Sequence, residues 1–93
     1  MATFEWDASK ARRNQSAHGV TFGEAVSAFA DPLGQIVDDR RHSRSEQRFA
    51  LLGQSERDRL LVVMFTERGA RIRVISARRA TRTERRQYEE ASR

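Results

Sequence analysis

The chain has 93 residues, with 18 Lys and Arg against 13 Asp and Glu, a formal net charge of +5 and no cysteine. This length allows one domain over residues 1–93, which would bury roughly 60–65% of its unfolded surface, and the lack of cysteine excludes disulfides, thiolate zinc sites and thiol nucleophiles. The longest apolar run, Leu60 to Phe65, is too short to span a bilayer, and the charged N-terminal residues lack a signal-peptide core, so we expect a soluble, cytoplasmic protein.

The first third of the chain is predicted to form a short strand and two helices. Residues 4–6 are typical of a strand, and Asp7 can cap a helix over residues 8–17. A capping-box spacing begins at Thr21, and apolar residues at helical spacing follow it. This second helix is expected to end in a turn at residues 31–34.

The remainder of the chain is predicted to form four strands and a final helix. Residues 35–37 and 48–53 are strand-like, and residues 60–65 are apolar on both faces, which indicates a central strand covered on both sides. Residues 71–76 alternate again, and a second capping box at residues 81–84 opens the last helix. The order β-α-α-β-β-β-β-α predicts an α+β fold with a mostly antiparallel sheet and helices packed on one face.

Positive charge is unevenly distributed along the chain. Residues 1–36 carry a net charge of −1 and residues 37–93 carry +6, and the stretch 68–86 contains eight arginines and one acid. Every cationic side chain except Lys10 is arginine, whose planar guanidinium suits phosphate. This pattern favours a polyanionic partner such as nucleic acid. A solvated charged face that keeps a small protein soluble is the equally weighted alternative.

Strand alternation predicts where part of this charge lies. Residues two apart in a strand share a face, so Arg71 and Arg73 would point together, away from the helices. Arg48 would lie on the same face of the sheet. If the loop before Arg48 is extended, His42 and Glu46 would point to the same face as Arg48. Such a group of side chains could hold a phosphodiester and stabilise the negative charge that develops on it.

Each of these side chains also has a simpler interpretation. Glu46 could be only the ion-pair partner of Arg44 or Arg48, and His42 could be an exposed loop residue. Tyr88 would face the sheet from the last helix, where packing is its usual role. The two arginines of the last strand have no acid between them, which favours a functional role. No metal site is expected, because neither the acidic residues nor the histidines have a ligand spacing.

Several segments together resemble the BrnT family. They are Phe4 to Asp7 with Lys10 and Asn14, His18 to Val20 with Phe22, Glu46 to Phe49 with Leu52 and Gly53, Glu67 to Gly69 with Arg71 to Thr81, and Glu84 to Arg86 with Tyr88 and Glu89. Ala17 stands where the family usually has a lysine. The resemblance covers about residues 3–90. It implies a bacterial type II toxin, a small ribonuclease with a RelE-like fold that cuts RNA without a metal and is neutralised by a BrnA-like antitoxin that also binds the operator.

The resemblance agrees with the roles that the strand alternation favours for the candidate residues. The RNA 2′-hydroxyl would attack the adjacent phosphate, which Arg71, Arg73 and Arg78 would hold. Glu46 or His42 could take the proton, and Tyr88 or His42 could give it; these six are the candidate catalytic residues. The candidate RNA-binding residues are Arg48, Arg79, Arg82 and Lys10. The expected partners are RNA and the antitoxin, in a complex of two toxins and two antitoxins, with DNA contacted only through the antitoxin and no cofactor. The alternative is a non-catalytic, basic module that binds nucleic acid or a partner protein.

Overall fold

The computed structural model describes residues 2–91, which form a five-stranded sheet and three α-helices. In chain order the elements are β1 (Thr3–Glu5), α1 (Ala8–His18), α2 (Phe22–Ser27), β2 (Gln35–Asp38), β3 (Arg48–Gln54), β4 (Leu60–Arg68), β5 (Arg71–Arg79) and α3 (Arg82–Ala91), with 3-10 turns at Ala28–Ala30 and Arg40–His42. The strand order is β1-β5-β4-β3-β2, and only β1 and β5 pair in parallel among these strands. The predicted α+β fold with a mostly antiparallel sheet is confirmed.

Local capping interactions fix where the helices begin. The Asp7 carboxylate accepts a hydrogen bond from the Lys10 amide at 3.0 Å, which starts α1. At α3 the capping box is complete, because Thr81 accepts from the Glu84 amide at 3.2 Å and Glu84 accepts from the Thr81 amide at 2.8 Å. No helix within residues 2–91 is both long and apolar enough to cross a membrane.

The central strand β4 is buried on both faces, as its sequence predicts. Leu61, Val63 and Phe65 point towards α1 and α2, on what we term the α1/α2 face. Leu60 and Val62 point the other way, where they pack with Tyr88 of α3, on what we term the α3 face. The expectation that the helices pack on one face therefore fails for α3, because a strand that is apolar on both sides needs cover on both sides.

A β-bulge in β5 changes which side chains share a face. Met64 of β4 pairs with Ser76, whereas the next residue, Phe65, pairs with Val74, so Ile75 is an extra residue in β5. The extra residue shifts the alternation by one position beyond it. Residues on opposite sides of the bulge therefore share a face when they are an odd number of positions apart.

A buried asparagine joins α1 to the last strand. The Asn14 side-chain amide donates to the carbonyl oxygens of Val20 at 2.9 Å and Ala77 at 2.8 Å, and its oxygen accepts from the Ala77 amide at 3.0 Å. Strand β1 pairs only with the first three residues of β5, at residues 71–73. Asn14 thus supplies both main-chain partners that Ala77 lacks beyond the end of β1.

A second buried polar contact fixes α2 to the loop between β3 and β4. The Glu24 carboxylate is 3% exposed and accepts from the Arg59 guanidinium, at 2.8 Å from Nε, and from the Ser55 hydroxyl at 2.7 Å. The hydrogen bond from Arg59 lowers the pKa of Glu24 below its usual value. The sequence predicts Glu24 only as a capping-box residue, but its side chain bonds across the fold.

We predict that replacing Asn14 with alanine lowers the free energy of unfolding by about 3 kcal/mol, because buried main-chain groups of Val20 and Ala77 lose their partners. Urea unfolding at neutral pH measures the change. Gln15→Ala is the matched control, since Gln15 is the next residue of α1 and is exposed; its cost should stay within about 0.5 kcal/mol. Equal losses in the two variants would contradict the role assigned to Asn14.

Candidate active site

Side chains on the α3 face lie in rows that cross the sheet, because directly paired residues point to the same side. The first row, termed the basic row, contains Arg48, Thr66, Arg73 and Glu5. The second, termed the apolar row, contains Val37, Ala50, Met64 and Ser76. The third contains Gln35, Leu52, Val62 and Arg78. Neighbouring rows are two residues apart along β2, β3 and β4, or about 7 Å, whereas the bulge separates Arg73 from Ser76 by three residues along β5.

A cavity of about 460 Å³ lies over the apolar row, between the 3-10 turn at Arg40–His42 and the start of α3. Its lining residues are Val37, Asp38, Asp39, Arg41, His42, Arg48, Ala50, Val62, Met64, Ile75, Ser76, Arg78 and Glu84. A cavity of about 350 Å³ is lined by Arg41, His42, Arg44, Ser45, Glu46 and Arg48. The three residues common to both, Arg41, His42 and Arg48, form what we term the shared wall.

Two guanidinium groups of the shared wall are available to an anion. Within residues 2–91, the side chains of Arg41 and Arg48 make no hydrogen bond or ion pair. Arg48 is half-buried against the sheet, whereas Arg41 is exposed on the 3-10 turn. Two unpaired guanidinium groups beside one cavity suit a phosphate, since each offers a planar set of N–H donors.

The imidazole of the shared wall is oriented by a carboxylate. His42 Nδ1 lies 2.8 Å from Asp39 Oδ2, and the exposed fractions of the two side chains are 63% and 14%. An ionised carboxylate only accepts, so this contact requires a proton on Nδ1, and the lone pair of the neutral imidazole is then on Nε2. The Asp39 amide in turn donates to the Arg48 carbonyl at 2.8 Å, which joins the turn to β3. His42 thus has the geometry of a general base.

Arg78 lines the larger cavity but is already paired. Its Nη1 and Nη2 lie 2.8 and 2.9 Å from the two Glu84 carboxylate oxygens. This contact lowers the pKa of Glu84 to about 2 and raises that of Arg78. Since Glu84 also caps α3, the pair fixes the start of that helix to the cavity wall. Arg78 still has N–H groups that a ligand could use.

The other two arginines predicted to act on phosphate lie outside the larger cavity. Glu5 lies 3.1 Å from Arg71 Nη1 and 2.8 Å from Arg73 Nη1, and the hydrogen bond from Arg73 lowers the pKa of Glu5. The register places Arg73 in the same row as Arg48, as the strand alternation predicts. The acid that neutralises these arginines comes from the parallel strand β1, so it is not visible in the β5 sequence.

Glu46 and Tyr88, predicted as possible proton-transfer groups, are held by other residues. Glu46 accepts from Arg68 Nη2 at 3.2 Å, rather than from Arg44 or Arg48, and this bond lowers its pKa. The buried Tyr88 hydroxyl donates to Asp31 Oδ2 at 2.6 Å. Burial, together with the Asp31 carboxylate, raises the pKa of Tyr88 to about 12.

The predicted RNA-binding residues other than Arg48 lie away from the shared wall. Arg79 pairs with Leu61 and so points to the α1/α2 face, and Arg82 is exposed at the first residue of α3. Lys10 lines a separate depression with Arg13 and His18 of α1. These cations surround the fold rather than converge on one cavity.

The structure therefore gathers Arg48, His42 and Arg78 and adds two residues that the sequence analysis missed, Arg41 and Asp39. Both lie in or beside a 3-10 turn, where strand parity does not predict the direction of a side chain. One sequence signal could have indicated Asp39: it lies three residues before His42, a spacing at which a carboxylate can reach an imidazole across a helical turn. Across the described residues, no three His, Asp or Glu side chains are grouped so that they could hold a metal ion.

Comparison with known proteins identifies the family. A family model described as the ribonuclease toxin BrnT of type II toxin-antitoxin systems matches residues 6–84. The crystal structure of the Brucella abortus ribonuclease toxin BrnT matches with a TM-score of 0.69 and 20% identity, over 88% of this chain and 100% of that chain, which shows a common fold. No curated protein sequence matches the chain. Because the family model spans most of its length, the chain belongs to the BrnT family of ribonuclease toxins of type II toxin-antitoxin systems.

Proposed function

We propose that the chain is a cytoplasmic, metal-independent endoribonuclease toxin that cleaves RNA at the shared wall. The observation that carries the proposal is the presence in one wall of two unpaired guanidinium groups, Arg41 and Arg48, beside an imidazole oriented by Asp39. Family membership supports RNA as the substrate. The arrangement supports the chemistry, because it combines an anion-binding site with a proton acceptor.

In the proposed reaction RNA supplies its own nucleophile. His42 Nε2 takes the proton of the 2′-hydroxyl, and the 2′-oxygen attacks the adjacent phosphorus. The bond from phosphorus to the 5′-oxygen breaks, which leaves a 2′,3′-cyclic phosphate. The departing 5′-oxygen takes a proton from water at the open mouth of the cavity, and the hydroxide left from that water takes the proton from His42, which returns to its starting state. Arg41 and Arg48 donate to the non-bridging oxygens, where negative charge increases in the transition state.

The remaining candidate residues have supporting roles in this proposal. Arg78 keeps the cavity wall in place through Glu84, and its spare N–H groups face the ligand. Arg71 and Arg73 release the Glu5 carboxylate and bind a flanking phosphate in its place. The three remaining candidate cations, Arg79, Arg82 and Lys10, contribute to the attraction of RNA at long range. His42 is favoured over Glu46 and Tyr88 for proton transfer, because the latter two are held by Arg68 and Asp31.

We predict that Arg48→Ala lowers the rate of RNA cleavage on the order of 100-fold, because the transition state loses a charged donor. Cleavage of a fluorescent RNA in the presence of EDTA measures the effect, and Arg48→Lys should recover part of it. Arg12→Ala removes an exposed cation of α1 and is the matched control. Equal rates for Arg48→Ala and Arg12→Ala would contradict the site. If wild-type protein binds RNA and leaves it intact, the non-catalytic alternative is favoured.

We predict that His42→Gln lowers kcat by roughly 100-fold or more and leaves RNA affinity unchanged, because only proton transfer is lost. Asp39→Asn should lower kcat by a smaller factor, and Asp39→Glu should restore part of it, since Asp39 positions the imidazole. Single-turnover cleavage and filter binding separate the two effects. An RNA with one 2′-deoxyribose at the cleavage position should stay intact. Full activity of His42→Gln would exclude it as the base.

We also propose that a cognate antitoxin neutralises the toxin by adding a strand to β2, in a complex of two toxins and two antitoxins that reaches DNA only through the antitoxin. Strand β2 lies at the edge of the sheet and exposes Ile36 and Val37 by 58% and 53%, and Leu33 in the turn before it is 52% exposed. The Asp39 amide donates to Arg48 of β3, and the main-chain groups of successive residues point alternately towards β3 and away from it. The N–H and C=O groups of Ile36 therefore point away from the sheet, where a new strand could pair with them. An added strand would lie beside the cavity that Val37 lines. A second copy of this chain is disfavoured as that strand, because both copies would carry a net charge of +5.

We predict that Ile36→Pro weakens the complex with the co-expressed antitoxin by at least about 10-fold, because proline removes an outward N–H that the added strand would use. Ile36→Thr keeps that N–H and is the matched control. RNA cleavage by the toxin alone should be unchanged in both variants. Growth rescue, together with the mass of the purified complex, measures the outcome. Full protection against Ile36→Pro would exclude this edge as the docking site.

A further inference from the structure

The larger cavity has an apolar floor that the proposed cleavage does not use. The floor consists of Val37, Ala50, Val62, Met64 and Ile75, whereas the charged groups lie at the rim. The floor is formed by side chains of four neighbouring strands, β2 to β5, so it is broad. Ala50, at its centre, has the smallest side chain of the five, which leaves room above it. A broad apolar floor beside an anion site suits a ligand with a weakly polar ring and a phosphate.

The spacing between the floor and the shared wall fits one nucleotide. The apolar row lies about 7 Å from the basic row that carries Arg48. In a nucleotide, a single ribose separates the base from its phosphate. A base packed on Ala50 and Met64 would therefore place its phosphate at Arg48, where Arg41 and His42 also lie.

A polar group stands at the β5 end of the apolar row, where one edge of a base would lie. It is the Ser76 hydroxyl, which lines the cavity. A hydroxyl group at the edge of a base can recognise its polar atoms, while the apolar floor contacts its face. Both contacts require an unstacked base, which single-stranded RNA supplies.

We infer that the larger cavity is a nucleobase-binding site, which holds the unstacked base of the nucleotide whose phosphate lies at Arg41 and Arg48. The inference rests on the proposed function, since RNA supplies that nucleotide. The site then determines which positions in RNA are cut. The fit of the base over Ala50 and Met64 sets the size of the preferred base, and Ser76 at the β5 end of the row sets its orientation.

Methyl-labelled methionine provides a direct test, because the chain contains only two methionines and Met64 lies in the floor. The probes are a 2′-deoxy dinucleotide, which has no 2′-hydroxyl for cleavage, and ribose 5-phosphate at the same ionic strength. Met64→Leu assigns the signal. We expect the dinucleotide to shift the Met64 methyl resonance in a saturable way. Ribose 5-phosphate should need at least about a 10-fold higher concentration for the same shift, because it lacks the base.

A floor-filling variant supplies the second arm of the test. Ala50→Val should weaken dinucleotide binding at least about 10-fold and leave ribose 5-phosphate binding unchanged, whereas Ala70→Val, in the exposed turn after β4, should change neither. A Met64 methyl that does not respond to the dinucleotide, or responds equally to ribose 5-phosphate, would overturn the inference even if RNA is cleaved. Intact RNA with a saturable Met64 shift would instead reject the proposed cleavage and keep the base site.

Discussion

Burial of β4 on both faces is the constraint from which the rest of the fold follows. Its side chains are apolar in both directions, so α1 and α2 must cover one side and α3 must cover the other. Helix α3 has only ten residues, and Tyr88 is its single buried side chain among the described residues. It therefore covers only part of the face. The uncovered part is where the cavities, the basic row and the apolar row lie.

Ion pairing decides which arginines can act. Arg71 and Arg73 share Glu5, Arg68 is bound by Glu46, and Arg78 is bound by Glu84. Arg41 and Arg48 carry the same charge but have no such partner within residues 2–91. A net charge of +5 thus describes the long-range field of the protein, whereas local pairing defines the site. The distinction matters because a paired guanidinium has fewer N–H groups left for a phosphate than an unpaired one.

The sequence predicts the elements well and the site only in part, for physical reasons. Capping residues such as Asp7 and Thr81 bond to groups three positions away, so the sequence itself predicts these contacts. Strand alternation likewise predicts that Arg48 and Arg73 lie on the same face of the sheet. The partner of Arg73 is visible only once β1 is known to lie beside β5. The bulge at Ile75 has no clear signature in an alternating strand, and the direction of Arg41 depends on a 3-10 turn. Contacts between residues that are far apart in the chain are therefore the ones that the sequence does not predict.

The extra residue in β5 has a consequence for how this protein can change through evolution. Ala77 meets Asn14 on the α1/α2 face, whereas Arg78 meets Glu84 on the α3 face, and both faces are set by pairing with β4. Deleting Ile75 would make Val74 and Ser76 consecutive and restore regular alternation, as their partners Phe65 and Met64 already alternate. Every later side chain of β5 would keep its present face. The bulge is therefore a position at which this strand can lose a residue without turning Ala77 away from Asn14 or Arg78 away from Glu84.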